Sequence, residues 1–215
     1  NLKWRVEDIY ATFKDFEADF ESAQLIAKNM PNFKNKLKNK DILLQYYQFF
    51  DKFNQKLDKL FHYVLLNRDV DTKSTKFIEA YEKLSNFSVT LSEKLAYVSP
   101  ELSKLPDEYL DEVLKDDRFA NYKYAIENIR LSRKYVLSEP QETALITAEK
   151  YSAGFSEIYD ALTSSDFAFE PVKIDGQNQV LTEGTYGKFI TNPSNGVRPQ
   201  TYNTLYKTYP QFPQT

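Results

Sequence analysis

The chain contains no cysteine, one histidine, one tryptophan and one methionine, and only five glycines in 215 residues. Each scarcity excludes something. Without cysteine there are no disulfides, thiol nucleophiles or thiolate zinc sites, and the composition fits a reducing cytoplasm. A lone histidine, His62, cannot supply the two or three nitrogen ligands of a catalytic zinc, nor the paired histidines of H-E-x-x-H. No G-x-S-x-G elbow accompanies it, so a serine triad has no support either. Five glycines and nine prolines are too few for a turn-dense sheet architecture. The net charge of −3 provides neither a basic field for nucleic acid nor a polybasic anchor for a membrane. No apolar run approaches the ~20 residues that span a bilayer, and the first residues lack the apolar core of a signal peptide.

Aromatic residues are plentiful: 16 tyrosines and 16 phenylalanines, whose large buried area must dominate any core. They recur at helical spacing. Ile9, Phe13, Phe16, Phe20, Ala23, Ala27 and Met30 form one stripe, read as a long helix ending at Pro31. A second stripe runs from Leu43 through Tyr46, Phe50, Phe53, Leu57, Leu60 and Val64, with Asp41 as its expected cap. The third follows Asp71-Thr72 with Phe77, Tyr81, Leu84, Leu91, Leu95 and Val98. Three such stripes on short connections must bury against one another as an antiparallel bundle.

Beyond Pro100, helices are expected from Pro106, over 121–137, from Ser138-Glu139-Pro140 to Gly154, and from Phe155 to about Thr163. Residues 167–181 alternate around Asp175-Gly176 and predict a β-hairpin. Thr182 caps a helix through Ile190, and a last helix begins near Pro199 with Tyr202, Leu205, Tyr206 and Tyr209 on it. The fold class expected is mainly α: an antiparallel bundle of long helices with one small hairpin near 167–181. The chain begins at Asn1 and stops just after its last helix, so it reads as cut from a longer protein.

Several motif-like stretches have plain structural readings. Asp69-Val70-Asp71 lacks the glycine and the closing glutamate of a calcium loop and reads as a helix corner. Gly184-Thr185-Tyr186-Gly187-Lys188 resembles a phosphate loop, but Phe189 stands where Ser or Thr belongs. The alternating lysines of 34–40 lie between acidic segments and read as a solvated linker. Asn86-Phe87-Ser88 matches a glycosylation acceptor but falls inside a helical stripe. Asp116-Asp117 and Glu17-Asp19-Glu21 read as solvated carboxylates on helices.

Trp4 with Asp8-Ile9-Tyr10, Leu60-Phe61-His62-Tyr63 followed by Asp69 and Asp71, and Arg133 to Leu145 (RKYVLSEPQETAL) occur in an order that resembles one family. So do the hairpin from Phe167 to Leu181 with Thr182 and Tyr186, then Val197-Arg198 and Tyr202. The succession is similar to the N-terminal part of oligoendopeptidase F, a zinc peptidase of the thimet-oligopeptidase type; Gly196 and Pro199 depart from its usual charged residues. The resemblance implies 1–112 as a helical lobe, 113–182 as the family's N-terminal-type domain ending in the hairpin, and 183–215 as the start of the peptidase domain. It implies a cytoplasmic parent that cleaves short unfolded oligopeptides with zinc, in a channel of which this chain is one wall. The family's zinc helix lies beyond residue 215, so no catalytic, metal or substrate-binding residue carries over to this chain, which is expected to bind no metal and to be inactive alone. The competing expectation is a stand-alone helical interaction module without enzymatic activity. A piece of a larger protein should leave a large exposed apolar face, whereas a complete module should hide most of its aromatics.

Overall fold

A computed structural model of the chain describes residues 4–212. It is helical apart from one two-stranded antiparallel sheet, as the stripes require. The chain divides into two units, Asn1–Lys150 and Tyr151–Thr215, and the division falls within a single helix.

In the first unit, the opening stripe is broken. Val6–Asp8 forms a 3₁₀ turn, and α1 (Phe13–Lys28) starts only at Thr12. The interruption is a capping box: the Thr12 hydroxyl accepts from Asp15 N at 3.2 Å, and Asp15 accepts from Thr12 N at 2.9 Å. Such reciprocal capping stabilises a start by about 1 kcal/mol, enough to outcompete one continuous helix. α2 (Lys40–Val70) is the central rod of the bundle and packs against both α1 and α3 (Thr75–Leu95). Its cap is Asn39 rather than the expected Asp41, because the Asn39 side chain accepts from Asp41 N and Ile42 N at 3.0 and 3.1 Å.

The core of this bundle is aromatic. Phe16 is buried among the rings of Tyr10, Phe13, Phe20 and Tyr63, at centroid distances of 5.2–6.2 Å. Each edge or stacked pair adds about 0.5–1.5 kcal/mol beyond the area it buries. Short helices α4 (Val98–Leu102), α5 (Asp107–Leu114) and α6 (Lys123–Ser132), with the turns between them, extend this core through Leu105, Leu110, Val113, Phe119 and Ile126. Pro100 does not interrupt α4. It sits in the first turns, where its missing N–H has no partner to lose.

α7 (Glu139–Ala161) continues through Gly154, where a break was expected. Gly154 needs no positive φ, and a helix tolerates one glycine at a cost of about 1 kcal/mol. α7 closes in a π-helical turn, Leu162–Asp166.

The second unit carries the hairpin, with β1 (Val172–Ile174) paired to β2 (Gln177–Gln179) in the register Val172 to Gln179. Asp175 (φ 51°) and Gly176 (φ 81°) make the tight turn, as the Asp-Gly pair predicts. The strands are shorter than the alternating stretch because Pro171 cannot donate to a ladder. α8 (Glu183–Ile190), capped by Thr182, and α9 (Val197–Thr208) pack on each other, and α9 also packs on β1. Val172, Leu181, Phe189, Val197 and Leu205 form the small core between them.

Candidate functional site

Most of the residues that resemble catalytic chemistry are engaged structurally. His62 is exposed on α2, its Nδ1 2.7 Å from the carbonyl of Asp58 on the same helix. Asp71 closes the α2–α3 corner, accepting from Lys73 N at 3.2 Å. The stretch Gly184 to Lys188 lies inside α8 and forms no loop. Asp116 accepts from Arg118 and pairs with Lys40, which hold its carboxyl far below the usual range. Lys34 of the linker pairs with Glu139 at 2.5 Å. Among the described residues, no group of three or more His, Cys, Asp or Glu side chains could hold a metal. The donor set of this chain does not fit a zinc centre: its one histidine is tied to a helix carbonyl and it has no thiolate.

Asp19 is the most constrained carboxylate of α1. It accepts from the Tyr10 hydroxyl at 2.6 Å and pairs with Lys56 of α2. Burial pushes its pKa up, but the bonds from Lys56 and Tyr10 outweigh that and hold it below the ordinary carboxylate value. A depressed carboxyl stabilises the fold above its unfolded pKa of about 3.9, and the contribution is lost as pH falls through the lower folded value. Asp19→Asn is therefore expected to lower stability at neutral pH and to flatten its acid-side decline below about pH 4. Urea midpoints across pH 2–7 would show it, and parallel profiles for both proteins would contradict it.

The motif from Arg133 to Leu145 has a physical account. The Arg133 guanidinium donates to the Leu105 carbonyl at 2.8 Å and to Asp107 at 3.0 Å, tying the end of α6 to the start of α5. Glu142 accepts from Leu137 N at 2.9 Å, and Gln141 accepts from the N–H and hydroxyl of Ser138. The arginine anchors, and Gln141 and Glu142 of α7 reach back to bind the N–H groups of Ser138 and Leu137.

Two surfaces remain. In the second unit, the last turns of α7 expose Tyr151 (74%), Phe155 (78%), Ile158 and Tyr159. On α9, Tyr202 and Tyr206 are half-exposed; their rings are tilted at a centroid distance of 4.5 Å, and Tyr206 stacks on Tyr209 at 6.0 Å. Tyr209 donates to Glu183 at 2.6 Å, and Glu183 and Tyr159 push its hydroxyl pKa well up. These side chains put several large aromatics of the second unit in solvent. In the first unit, an open trough of about 860 Å³ lies between α1 and α3, floored by Phe13, Phe16, Phe20 and Phe87.

Residues 101–169 match the family described as Oligopeptidase F. Across 99% of its length the chain is 27% identical to Oligopeptidase PepF of Bacillus subtilis (strain 168), covering 32% of that protein. It is 26% identical over its whole length to the plasmid-encoded oligoendopeptidase F of Lactococcus lactis subsp. cremoris, covering 36% of that protein. The crystal structure of oligoendopeptidase-F from Enterococcus faecium shares the fold, with a TM-score of 0.77 at 24% identity over 94% of this chain and 40% of that one. The chain matches the N-terminal part of oligoendopeptidase F. It spans about a third of the length of these curated relatives. The family match runs from the end of α4 past the end of α7 and so contains Arg133, Ser138 and Glu142.

Proposed function

We propose that this chain is the N-terminal part of a zinc-dependent, cytoplasmic metalloendopeptidase that cleaves short unfolded oligopeptides. In this reading it is a wall of the substrate channel and not the seat of catalysis. The observation that carries the proposal is the match of essentially the whole chain to about a third of oligopeptidases. The aromatic face of α7 and α9 supports it, because exposed Phe155, Tyr151 and Tyr202 are the surface against which a further lobe would pack. Residues 113–182 would be the N-terminal-type domain, and 183–215 would open the peptidase domain.

The chain's own part is mechanical. Long helices held by an aromatic core resist deformation, so a wall made of them admits flexible peptides and excludes folded proteins. Metal chemistry would belong to the remainder of the parent, since the donors of this chain do not fit zinc.

The full-length polypeptide containing this chain is expected to cleave quenched fluorogenic oligopeptides, to lose that activity to a chelator, and to leave a folded protein substrate intact. Restoration by zinc supports the reading. A full-length polypeptide that is inactive on peptides and binds one folded partner instead would favour the interaction module.

A further inference from the structure

α1 and α3 both lean on α2 and meet each other through two ring pairs, Phe13–Phe77 at 5.7 Å and Phe20–Phe87 at 5.6 Å. The trough above these rings has one acidic wall and one of mixed charge. Glu17 and Glu21, one turn apart and both exposed, line the α1 side. Lys76 and Lys83 line the α3 side, with Glu79 between them. Lys76 lies over the Phe13 ring, 3.9 Å from its centroid. Glu17, Glu21 and Lys83 form no ion pair among the described residues. The unpaired Glu17 and Glu21 thus face a mixed wall of Lys76, Glu79 and Lys83 over an aromatic floor.

We infer that this trough is a docking site for an amphipathic helical peptide with a basic flank. Three features select that occupant. The walls are helices, whose backbone groups are already bonded within themselves, so the trough offers no N–H or C=O to an extended chain. A helical occupant satisfies its own backbone and presents only side chains to the floor. The lining spans Phe13 to Gln24 on α1 and Thr75 to Thr90 on α3, about 16–22 Å, the length of three to four helical turns. Apolar side chains at i, i+4 and i+7 then meet Phe13, Phe20 and Phe87, and lysines on one flank reach Glu17 and Glu21. The site does not depend on the peptidase reading, because binding here requires no turnover.

The test uses the 215-residue chain and a fluorescein-labelled peptide of about fourteen residues with leucines at those positions and lysines along one flank. Fluorescence anisotropy is expected to show saturable binding, and circular dichroism a gain of helix in the peptide. Glu17→Lys/Glu21→Lys should weaken binding about tenfold at low salt, and a peptide with glutamates in place of the lysines should recover it on that variant. Both substituted positions are exposed, and the variant's dichroism checks that the fold persists. Unchanged binding in the variant, equal binding of a scrambled peptide, or no saturation would overturn the proposal. So would self-association of the chain that the double substitution abolishes, which would assign the trough to a second copy.

Discussion

Phe16→Ala is expected to lower the stability of the first unit by about 3–5 kcal/mol, the usual cost of emptying a buried phenylalanine site. The ring is 2% exposed and touches four other aromatic rings, one of them Tyr63 on α2. Its removal leaves a cavity where α1 is pinned to α2, and rigid neighbouring rings cannot collapse into it. Phe16→Leu keeps most of the volume and should cost less, about 1–2 kcal/mol. Urea unfolding followed by helical dichroism reads both. A loss below about 1 kcal/mol for the alanine variant would mean that α1 is held mainly by its cap and its ion pair, not by the ring cluster.

Glu101→Ala is expected to cost about 2 kcal/mol, the value of charge-assisted bonds discounted for partial exposure. The Glu101 carboxylate accepts from Asn35 N and Leu37 N, both at 2.7 Å, and so grips the linker between α1 and α2. That linker turns through Asn35 at φ 63°, a left-handed conformation that asparagine tolerates. It also delivers Phe33 and Leu37 into the core, at 2% and 0% exposure. Without the carboxylate, two N–H groups of a strained turn lose their acceptor. Glu101→Gln keeps one good acceptor and should lose about half as much. Hydrogen exchange at Asn35 and Leu37 gives a local readout, with faster exchange expected in the alanine variant. Unchanged exchange would mean that ring burial alone holds the linker.

The helices of the bundle were legible because their aromatic stripes have one period and one buried face. Phe16, Phe53, Leu60 and Leu84 all lie in the core the stripes mark. The hairpin was legible from Asp175-Gly176, where the required positive φ values restrict the choice of residue. Departures came where a local bond competes with periodicity. Thr12 and Asp15 cut the first stripe, Asn39 takes the cap from Asp41, and Pro171 shortens β1. Gly154 is the converse, a helix-weakening residue overruled by the helix around it. The trough was not legible at all. Phe13 and Phe20 read as core residues, since periodicity says which way a ring turns but not how far apart two helices stand. Glu17 and Glu21 read as solvated face for the same reason, and only the separation of α1 from α3 makes them a wall.

Under the proposed function this chain is a wall that supplies no chemistry of its own. General-base and metal chemistry both require groups within hydrogen-bond reach of the scissile carbonyl, and in this chain His62 is tied to a helix carbonyl while Asp19 and Asp116 are held in ion pairs. The direct measurement is turnover of fluorogenic oligopeptides by the purified 215-residue chain, with and without added zinc, beside the full-length polypeptide under the same conditions. The account predicts no cleavage by the chain in either condition and chelator-sensitive cleavage by the full-length polypeptide. Metal-dependent cleavage by the 215-residue chain alone would contradict it.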